Sequence, residues 1–184
     1  VMLGIAYDSE DGRAMAALIA EELRDAAYAA SIALAREKGP FPLFDAEAYL
    51  AGQFTGRLPE ALREQIAEHG IRNSHLLSIA PTGSITLAFA DNASNGIEPA
   101  FSWVYHRKKR MADGSTRSYE VADHAWRLYR HLGHDVSDDA ALPRQFVTAL
   151  QMAARDHLGM MQAVQPFIDT AISKTVNVPA DYPY

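Results

Sequence analysis

Residues 81–86, with the sequence Pro-Thr-Gly-Ser-Ile-Thr, combine three hydroxyl groups with a glycine at a predicted helix start. The hydroxyls belong to Thr82, Ser84 and Thr86, and Gly83 would let an anion approach the backbone closely. The first four amides of a helix have no intrahelical acceptor, and one hydrogen bond to a charged group contributes about 1.5–3 kcal/mol. Residues of these types at this spacing could therefore bind a phosphate or a diphosphate without a lysine.

A helix start without a ligand would explain the same residues. Serine and threonine are common helix caps, and the Gly-Lys-Ser/Thr ending of a Walker loop is missing here. Taken alone, this segment leaves both interpretations open, an anion site and a structural helix start.

The elements that must position this segment are predicted from the residues around it. The apolar run at residues 76–80 is typical of a short strand, and residues 84–90 are predicted to form a short helix. A loop rich in Asn, Ser and Gly follows up to residue 99. Near the end of the chain, residues 173–178 are β-branched and short, which favours a buried parallel strand.

Helices are predicted from apolar spacing, caps and stop signals. Asp8 is the predicted cap of a first helix, which Gly39 and Pro40 end. Its predicted core-facing stripe contains Ile19, Leu23, Ala26, Ala30 and Leu34.

Shorter helices are predicted further along the chain. They cover residues 45–51, 59–69, 121–132 and 154–168, and Pro166 should kink or end the last of them. Ser137 or Asp138 is predicted to cap another short helix that includes Phe146 and Val147.

A hairpin with a basic flank is predicted after the Asn-rich loop. Residues 101–105 and 116–121 have the pattern of two strands, and Asp113-Gly114 is a turn dipeptide between them. The four basic residues 107–110 could hold a phosphate or an acidic partner, although a solvated flank is the favoured interpretation. His131 and His134 do not predict a metal site, because Gly133 should end the helix between them.

Composition excludes several classes of function. The net charge of −6 argues against a general nucleic-acid binder, and no apolar run is long enough to span a membrane, so a cytoplasmic protein is expected. The absence of cysteine excludes disulfides, thiolate metal sites and thiol nucleophiles.

The length of 184 residues predicts one unit. The apolar start without methionine and the turn-like end predict a piece of a longer protein.

Several stretches, taken together and in order, resemble the adenosylcobalamin-dependent (class II) ribonucleotide reductases. They are residues 78–86, residues 92–99 and residues 157–179, with further similarity at residues 4–9 and 37–44. The resemblance therefore extends over nearly the whole chain. Gly83 and the Ile-Ser-Lys-Thr-Val stretch favour class II over the large subunit of class I.

This resemblance implies an α/β fold, a helix-rich fragment of a ten-stranded α/β barrel that is incomplete at both ends. It also implies that the loop after the first predicted strand binds the substrate diphosphate through its amides and hydroxyls. Residues 96–99 and 173–178 would be barrel wall near the site. Glu98, His157 and Lys174 lie in matching motifs without an implied role, and no catalytic residue is expected in this chain. The implied substrate-phosphate ligands are Thr82, Gly83, Ser84, Ile85 and Thr86.

One departure from the family limits what the chain is expected to do. The family reduces ribonucleotides through a cysteinyl radical on an Asn-x-Cys-x-Glu finger loop and a further pair of cysteines, and this chain has no cysteine. We therefore expect an inactive part of a reductase whose parent enzyme uses adenosylcobalamin, with no cofactor on the chain alone.

The expected partners of the chain are a ribonucleotide, with a diphosphate favoured, and the rest of the parent chain, but no nucleic acid or membrane. Open strand edges predict self-association.

Two alternatives remain at this point. The first is a non-catalytic, mostly helical module that binds phosphate or a nucleotide at residues 81–86. The second is a scaffold piece without a function of its own.

Overall fold

The computed structural model describes residues 1–93, 95–178 and 180–181. Ser94 and Pro179, which belong to two of the stretches that carry the family resemblance, lie outside the described residues, as do residues 182–184. The described part contains six α-helices, four short 3₁₀ turns and one β-hairpin. None of its helices combines the length and the hydropathy that a membrane span requires.

The chain forms two compact units. The first contains Val1–Arg13, Ala80–Met161 and Ser173–Tyr184, and the second contains Ala14–Ile79 and Gln162–Ile172. That residues 1–184 act as one unit of a catalytic barrel stays a prediction.

Helix α1 spans Glu10–Lys38 and is the longest element of the described residues. Its first turn is capped by Ser9, whose Oγ accepts from the Gly12 amide at 2.9 Å, whereas the sequence predicts Asp8 as the cap. The Asp8 carboxylate instead accepts from Arg144 at 2.6 Å. The predicted end is confirmed, because Gly39 adopts a φ of 78° directly after the helix.

The predicted apolar stripe of α1 is not its buried face. Ile19 and Leu23 are 47% and 58% exposed, and the buried positions lie about one residue further along the chain. Two polar side chains explain the difference. The Tyr28 hydroxyl donates to the Asp169 carboxylate at 2.9 Å, and the Arg24 guanidinium lies 5.1 Å from the ring centroid of Phe167. The buried positions of α1 are Gly12, Ala20, Arg24, Tyr28, Ser31, Ile32 and Ala35.

The core of the second unit joins α1 to α3 (Glu60–His69). Helix α3 begins after Pro59 and ends at Gly70, and the short α2 (Ala46–Leu50) is capped by Asp45, so these predicted helices are confirmed. Phe41 and Phe44, from the loop before α2, also pack against this core. The buried members of the core are Tyr28, Ile32, Leu58, Leu62, Ile66 and Ile71.

The predicted strand at residues 76–80 is present only as a single parallel bridge between Ile79 and Ile172. The two amides before the bridge do not pair with another strand. They donate to the Asp169 carboxylate, from Leu76 at 2.7 Å and from Leu77 at 2.8 Å. A side chain therefore supplies the acceptors that a longer strand ladder would have supplied.

In the first unit, the predicted helix and hairpin are both confirmed. Helix α4 spans Gly83–Phe89, and strand β1 (Val104–Arg110) pairs antiparallel with β2 (Thr116–Ala122). The first strand begins at Val104 rather than at residue 101, and the four basic residues are exposed within it. Helix α5 follows at His124–His131 with Asp123 as its cap.

The predicted helix around Phe146 and Val147 is wrong. Asp138 caps only a 3₁₀ turn at Asp139–Ala141, and the Phe146 amide closes a turn onto the Pro143 carbonyl at 2.8 Å. The Phe146 ring packs 5.0 Å from Trp103, between centroids, in the core of this unit.

Helix α6 spans Ala154–Val164 and gives way to a 3₁₀ turn at Gln165–Phe167, which confirms the predicted early end at Pro166. The predicted strand at residues 173–178 is not formed, because the Thr175 amide donates to the Glu98 carboxylate instead of a neighbouring strand. A ten-stranded barrel is thus not seen within the described residues, which are helix-rich with one two-stranded sheet.

Replacing Asp169 by Asn should destabilise the second unit. One carboxylate oxygen becomes an amide donor that faces another donor, so we expect a loss of about 2–3 kcal/mol in the free energy of unfolding, measured by urea denaturation. The control Tyr28→Phe removes one donor and leaves both backbone bonds, so its cost should be about 1 kcal/mol. Equal stability of Asp169→Asn and the wild type would contradict this role.

Candidate functional site

The entry into α4 has a strained backbone. Thr82 adopts φ 53° and ψ 14°, in the left-handed region that β-branched residues rarely occupy. Gly83, the next residue, is already helical and therefore of the opposite hand. Successive residues of opposite hand direct their amides into one concavity, which is a known geometry for binding anions.

The amides at this helix start lie outside the helical ladder. The first helical bond runs from the Thr86 amide to the Thr82 carbonyl at 2.9 Å, so the three amides between them precede the ladder. Gly83, Ser84 and Ile85 are exposed, whereas Thr86 is only 2% exposed. The structure thus brings the five predicted residues into one turn, with Thr86 on its buried side.

Gly83 has no structural requirement for a glycine within the described residues. It lies in the first turn of the helix, and a Cβ built on it would meet no atom within 4 Å. A glycine that neither its backbone nor its neighbours require leaves an open approach to the amides around it.

The exit of α4 is also left-handed and is held by α5. Asp91 and Asn92 adopt φ values of 52° and 56°. The Asp91 carboxylate accepts from His124 Nδ1 at 2.8 Å and from an Arg127 Nη at 2.6 Å. The Asn92 amide donates to the Thr86 carbonyl at 2.9 Å. Helix α4 is therefore fixed at the end opposite to the candidate anion site.

The sequence around α4 has few cationic residues. The sequence has no lysine or arginine between Arg72 and Arg107. Hydrogen bonds from Arg127 and His124 lower the pKa of Asp91 below its ordinary value. An anion at the start of α4 would thus be held mainly by amides and hydroxyls of the loop itself.

Glu98, His157 and Lys174, which the sequence leaves without a role, meet in one cluster, in which the Glu98 side chain is 21% exposed. The Lys174 ammonium donates to Glu98 Oε2 at 2.6 Å and to His157 Nδ1 at 2.8 Å. Its third hydrogen bond goes to the Thr175 carbonyl at 2.7 Å. Only 2% of the Lys174 side chain is exposed, and His157 is fully buried.

This cluster fixes the chemistry of its members. An ammonium has only donors, so His157 Nδ1 must accept, and the ring proton lies on Nε2, 3.1 Å from the Ala149 carbonyl oxygen. All three Lys174 protons are used inside the protein, so this lysine is not available to a phosphate. Burial and the nearby Glu98 charge raise the pKa of Tyr7 above its ordinary value.

Sequence reasoning missed the partners that hold α4 and the cluster. An Asp-Asn pair after a helix does indicate left-handed backbone, because these two residue types tolerate it. No sequence signal connects Asp91 with His124 and Arg127, since the contacts span more than thirty residues. Among the described ranges, no group of three or more His, Asp and Glu residues could hold a metal ion.

Thr82→Gly should stabilise the protein. Glycine adopts the left-handed region without the penalty of a Cβ, which is about 1–2 kcal/mol, but it loses about 0.5–1 kcal/mol of chain entropy. We expect a net gain of about 0.5–1 kcal/mol in urea unfolding. Thr82→Ala, which keeps the Cβ, is the matched control and should not show this gain. A less stable glycine variant would show that the Thr82 side chain has contacts that outweigh the strain.

Asp91→Asn should remove a pH-dependent contribution to stability. The folded-state pKa of Asp91 is lowered, so its contribution is complete above the ordinary value of 3.8 and is lost as the pH falls through the folded pKa. Asparagine tolerates the left-handed backbone, so the variant isolates the charge. Urea midpoints of wild type and variant should differ at neutral pH and converge as the pH falls below 3.8. A difference that does not change with pH would contradict the assignment.

Comparison with known proteins places these features in a family. Over residues 1–184 the chain matches the family model of the ribonucleotide reductase barrel domain. A vitamin B12-dependent ribonucleoside-diphosphate reductase from Mycobacterium tuberculosis is 34% identical over 197 aligned residues, which cover 97% of this chain and 25% of that protein. A vitamin B12-dependent ribonucleotide reductase from Streptomyces clavuligerus is 27% identical over 220 aligned residues, covering 96% and 23%.

A relative of another kind matches less of the chain. The ribonucleoside-diphosphate reductase large chain of Encephalitozoon cuniculi is 32% identical over 122 residues, covering 61% of this chain and 16% of that protein. The chain spans about a quarter of the length of the two B12-dependent relatives. The full-length match to the barrel-domain model agrees with an α/β fold. Together with the 34% identity to a B12-dependent relative over 97% of the chain, it confirms the resemblance to class II reductases. The chain therefore belongs to the ribonucleotide reductase barrel-domain family.

Proposed function

We propose that this chain supplies the substrate-diphosphate-binding part of the catalytic barrel of a B12-dependent ribonucleotide reductase. The observation that carries the proposal is the family match over residues 1–184, in a chain whose exposed helix start has the geometry of an anion site. The reaction of the whole enzyme would convert a ribonucleotide to the 2′-deoxyribonucleotide. A diphosphate substrate is supported by the name of the Mycobacterium tuberculosis relative.

Within this part, binding is the task of the first turn of α4. The amides of Gly83, Ser84 and Ile85 and the hydroxyls of Thr82 and Ser84 donate to the phosphate oxygens. With about 1.5–3 kcal/mol for each hydrogen bond to a charged group, three or four such bonds are sufficient without a lysine. Thr86 is buried and lies on the inner side of this turn.

The reduction itself requires groups that this chain does not contain. Reduction of a ribose hydroxyl consumes two electrons, which the family takes from a pair of cysteines, and the chain has no cysteine. We propose that the chain is inactive alone and completes its site with the rest of the parent protein, in the cytoplasm. Association between copies of the chain is part of the same proposal.

Three cavities lined by described residues do not fit a cobalamin. Their volumes are about 260, 310 and 430 Å³, each too small for a corrinoid with its nucleotide tail. The fully buried His157 uses both ring nitrogens inside the protein, so it is not available as a cobalt ligand. We propose that the cobalamin binds elsewhere in the parent enzyme.

Ser84→Pro should abolish ADP binding without unfolding the chain. Proline is tolerated in the first turn of a helix, where it removes an amide that has no intrahelical acceptor. Gly83→Ala should weaken ADP binding at least tenfold, because its methyl group occupies the open approach, while thermal stability stays equal or rises. Isothermal titration calorimetry with ADP and with inorganic phosphate measures both effects, and thermal melting monitors the fold.

The matched control is Ala61→Pro, an exposed residue at the same position in the first turn of α3. It should leave ADP affinity unchanged. Absence of ADP binding by the folded wild-type chain would reject the proposed function for this chain. For the parent enzyme, the uninterrupted reading frame must encode an Asn-x-Cys-x-Glu loop upstream, and a frame without it would reject the reductase assignment.

A further inference from the structure

The Glu98, Lys174 and His157 side chains close a ring of hydrogen bonds in the first unit. Lys174 joins Glu98 to His157, with distances of 2.6 and 2.8 Å from its Nζ. His157 Nε2 lies 3.1 Å from the Ala149 carbonyl oxygen, and the Ala149 amide donates to the Ala100 carbonyl at 2.9 Å. Ala100 follows Glu98 by two residues, so the backbone through Pro99 closes the ring. Pro99 has no backbone N–H to donate.

The ring holds the end of the loop that follows α4. Besides binding Lys174, Glu98 accepts from the Thr175 amide, and its own amide donates to the Asn95 carbonyl at 3.2 Å. The Tyr7 hydroxyl donates to the Ile97 carbonyl at 2.7 Å and fixes the same turn from another side.

The other end of this loop is joined to α4 itself. The Asn92 amide donates to the Thr86 carbonyl at 2.9 Å, and the Asn92 side chain donates to the Ala122 carbonyl at 3.2 Å. Hydrogen bonds thus hold both ends of the loop between Thr86 and Glu98, one end to the first turn of α4 and the other to the ring.

Stability alone does not explain a ring of this composition. A buried ion pair is often no more stabilising than apolar side chains of the same volume, whereas the loss of one partner is strongly destabilising. Here an ammonium with a 2% exposed side chain and a fully buried imidazole take positions that methionine or leucine could fill. Unlike apolar contacts, hydrogen bonds have preferred directions, so these polar groups hold the loop in one geometry.

We propose that Glu98, Lys174 and His157 are positioning residues that hold this loop, and through it the first turn of α4, in the arrangement that binds the nucleotide diphosphate. This inference rests on the proposed function. The ammonium and the imidazole make no contact with the ligand, because their donors and acceptors are all used within the ring and by Thr175.

The first test separates positioning from folding. In the double variant Glu98→Gln with Lys174→Met, both charges are removed together, so no buried charge is left without a partner. We expect thermal melting within a few degrees of the wild type and an ADP dissociation constant at least tenfold higher by calorimetry. The control, Asp8→Asn with Arg144→Met, removes an ion pair of the same 2.6 Å length in the same unit and should leave ADP affinity unchanged.

The second test needs no variant to fold and no ligand to bind. Long-range ¹H–¹⁵N correlation spectra of the wild-type chain report the tautomer of each histidine. The ring requires a neutral His157 with its proton on Nε2 and an unprotonated Nδ1 that accepts from Lys174. A proton on Nδ1 would overturn the ring.

The outcomes of the two tests are distinct. A wild-type chain that shows the expected tautomer but binds no ADP would reject the proposed function and leave the ring in place. A wild-type chain that binds ADP with the same affinity as the double variant would reject the positioning role. An unfolded double variant would also reject it, since the ring would then be needed for the fold itself.

Discussion

Backbone amides that find no strand partner must still reach an acceptor, and in this chain two carboxylates serve them. Asp169 accepts from the amides of Leu76 and Leu77, and Glu98 accepts from the amide of Thr175. In both places a segment that has the residue pattern of a strand stays extended without a ladder. The same two carboxylates also connect these segments to the rest of their units. Asp169 binds Tyr28 of α1, and Glu98 binds Lys174.

The division between what could and could not be predicted follows from how local each interaction is. Caps and stop signals act within a few residues, so Asp45, Pro59, Gly70 and Pro166 marked their helix ends correctly. Pairing of strands depends on residues far away in the chain, and for residues 76–80 and 173–178 a carboxylate took the place of the partner strand. Residue type indicated an extended segment there but not its acceptor.

The buried face of α1 and the polar cluster could not be predicted for a related reason. A stripe chosen by apolar residues passes over Arg24 and Tyr28, although both bury most of their side chains and keep a polar end for a partner. Likewise, Glu98, His157 and Lys174 were visible as members of three motifs, but their meeting depends on contacts across 17 and 76 positions of the chain. For the candidate site itself, the helix start was predictable and its strained backbone was not, while phosphate binding by the five residues stays a prediction.

The ring also constrains how this protein can change its sequence. Replacing Glu98 alone would leave the Lys174 ammonium, whose side chain is 2% exposed, without its carboxylate, which costs about 3–5 kcal/mol. That is a large share of the stability of an ordinary domain, about 5–15 kcal/mol. We therefore expect positions 98 and 174 to change together in related proteins.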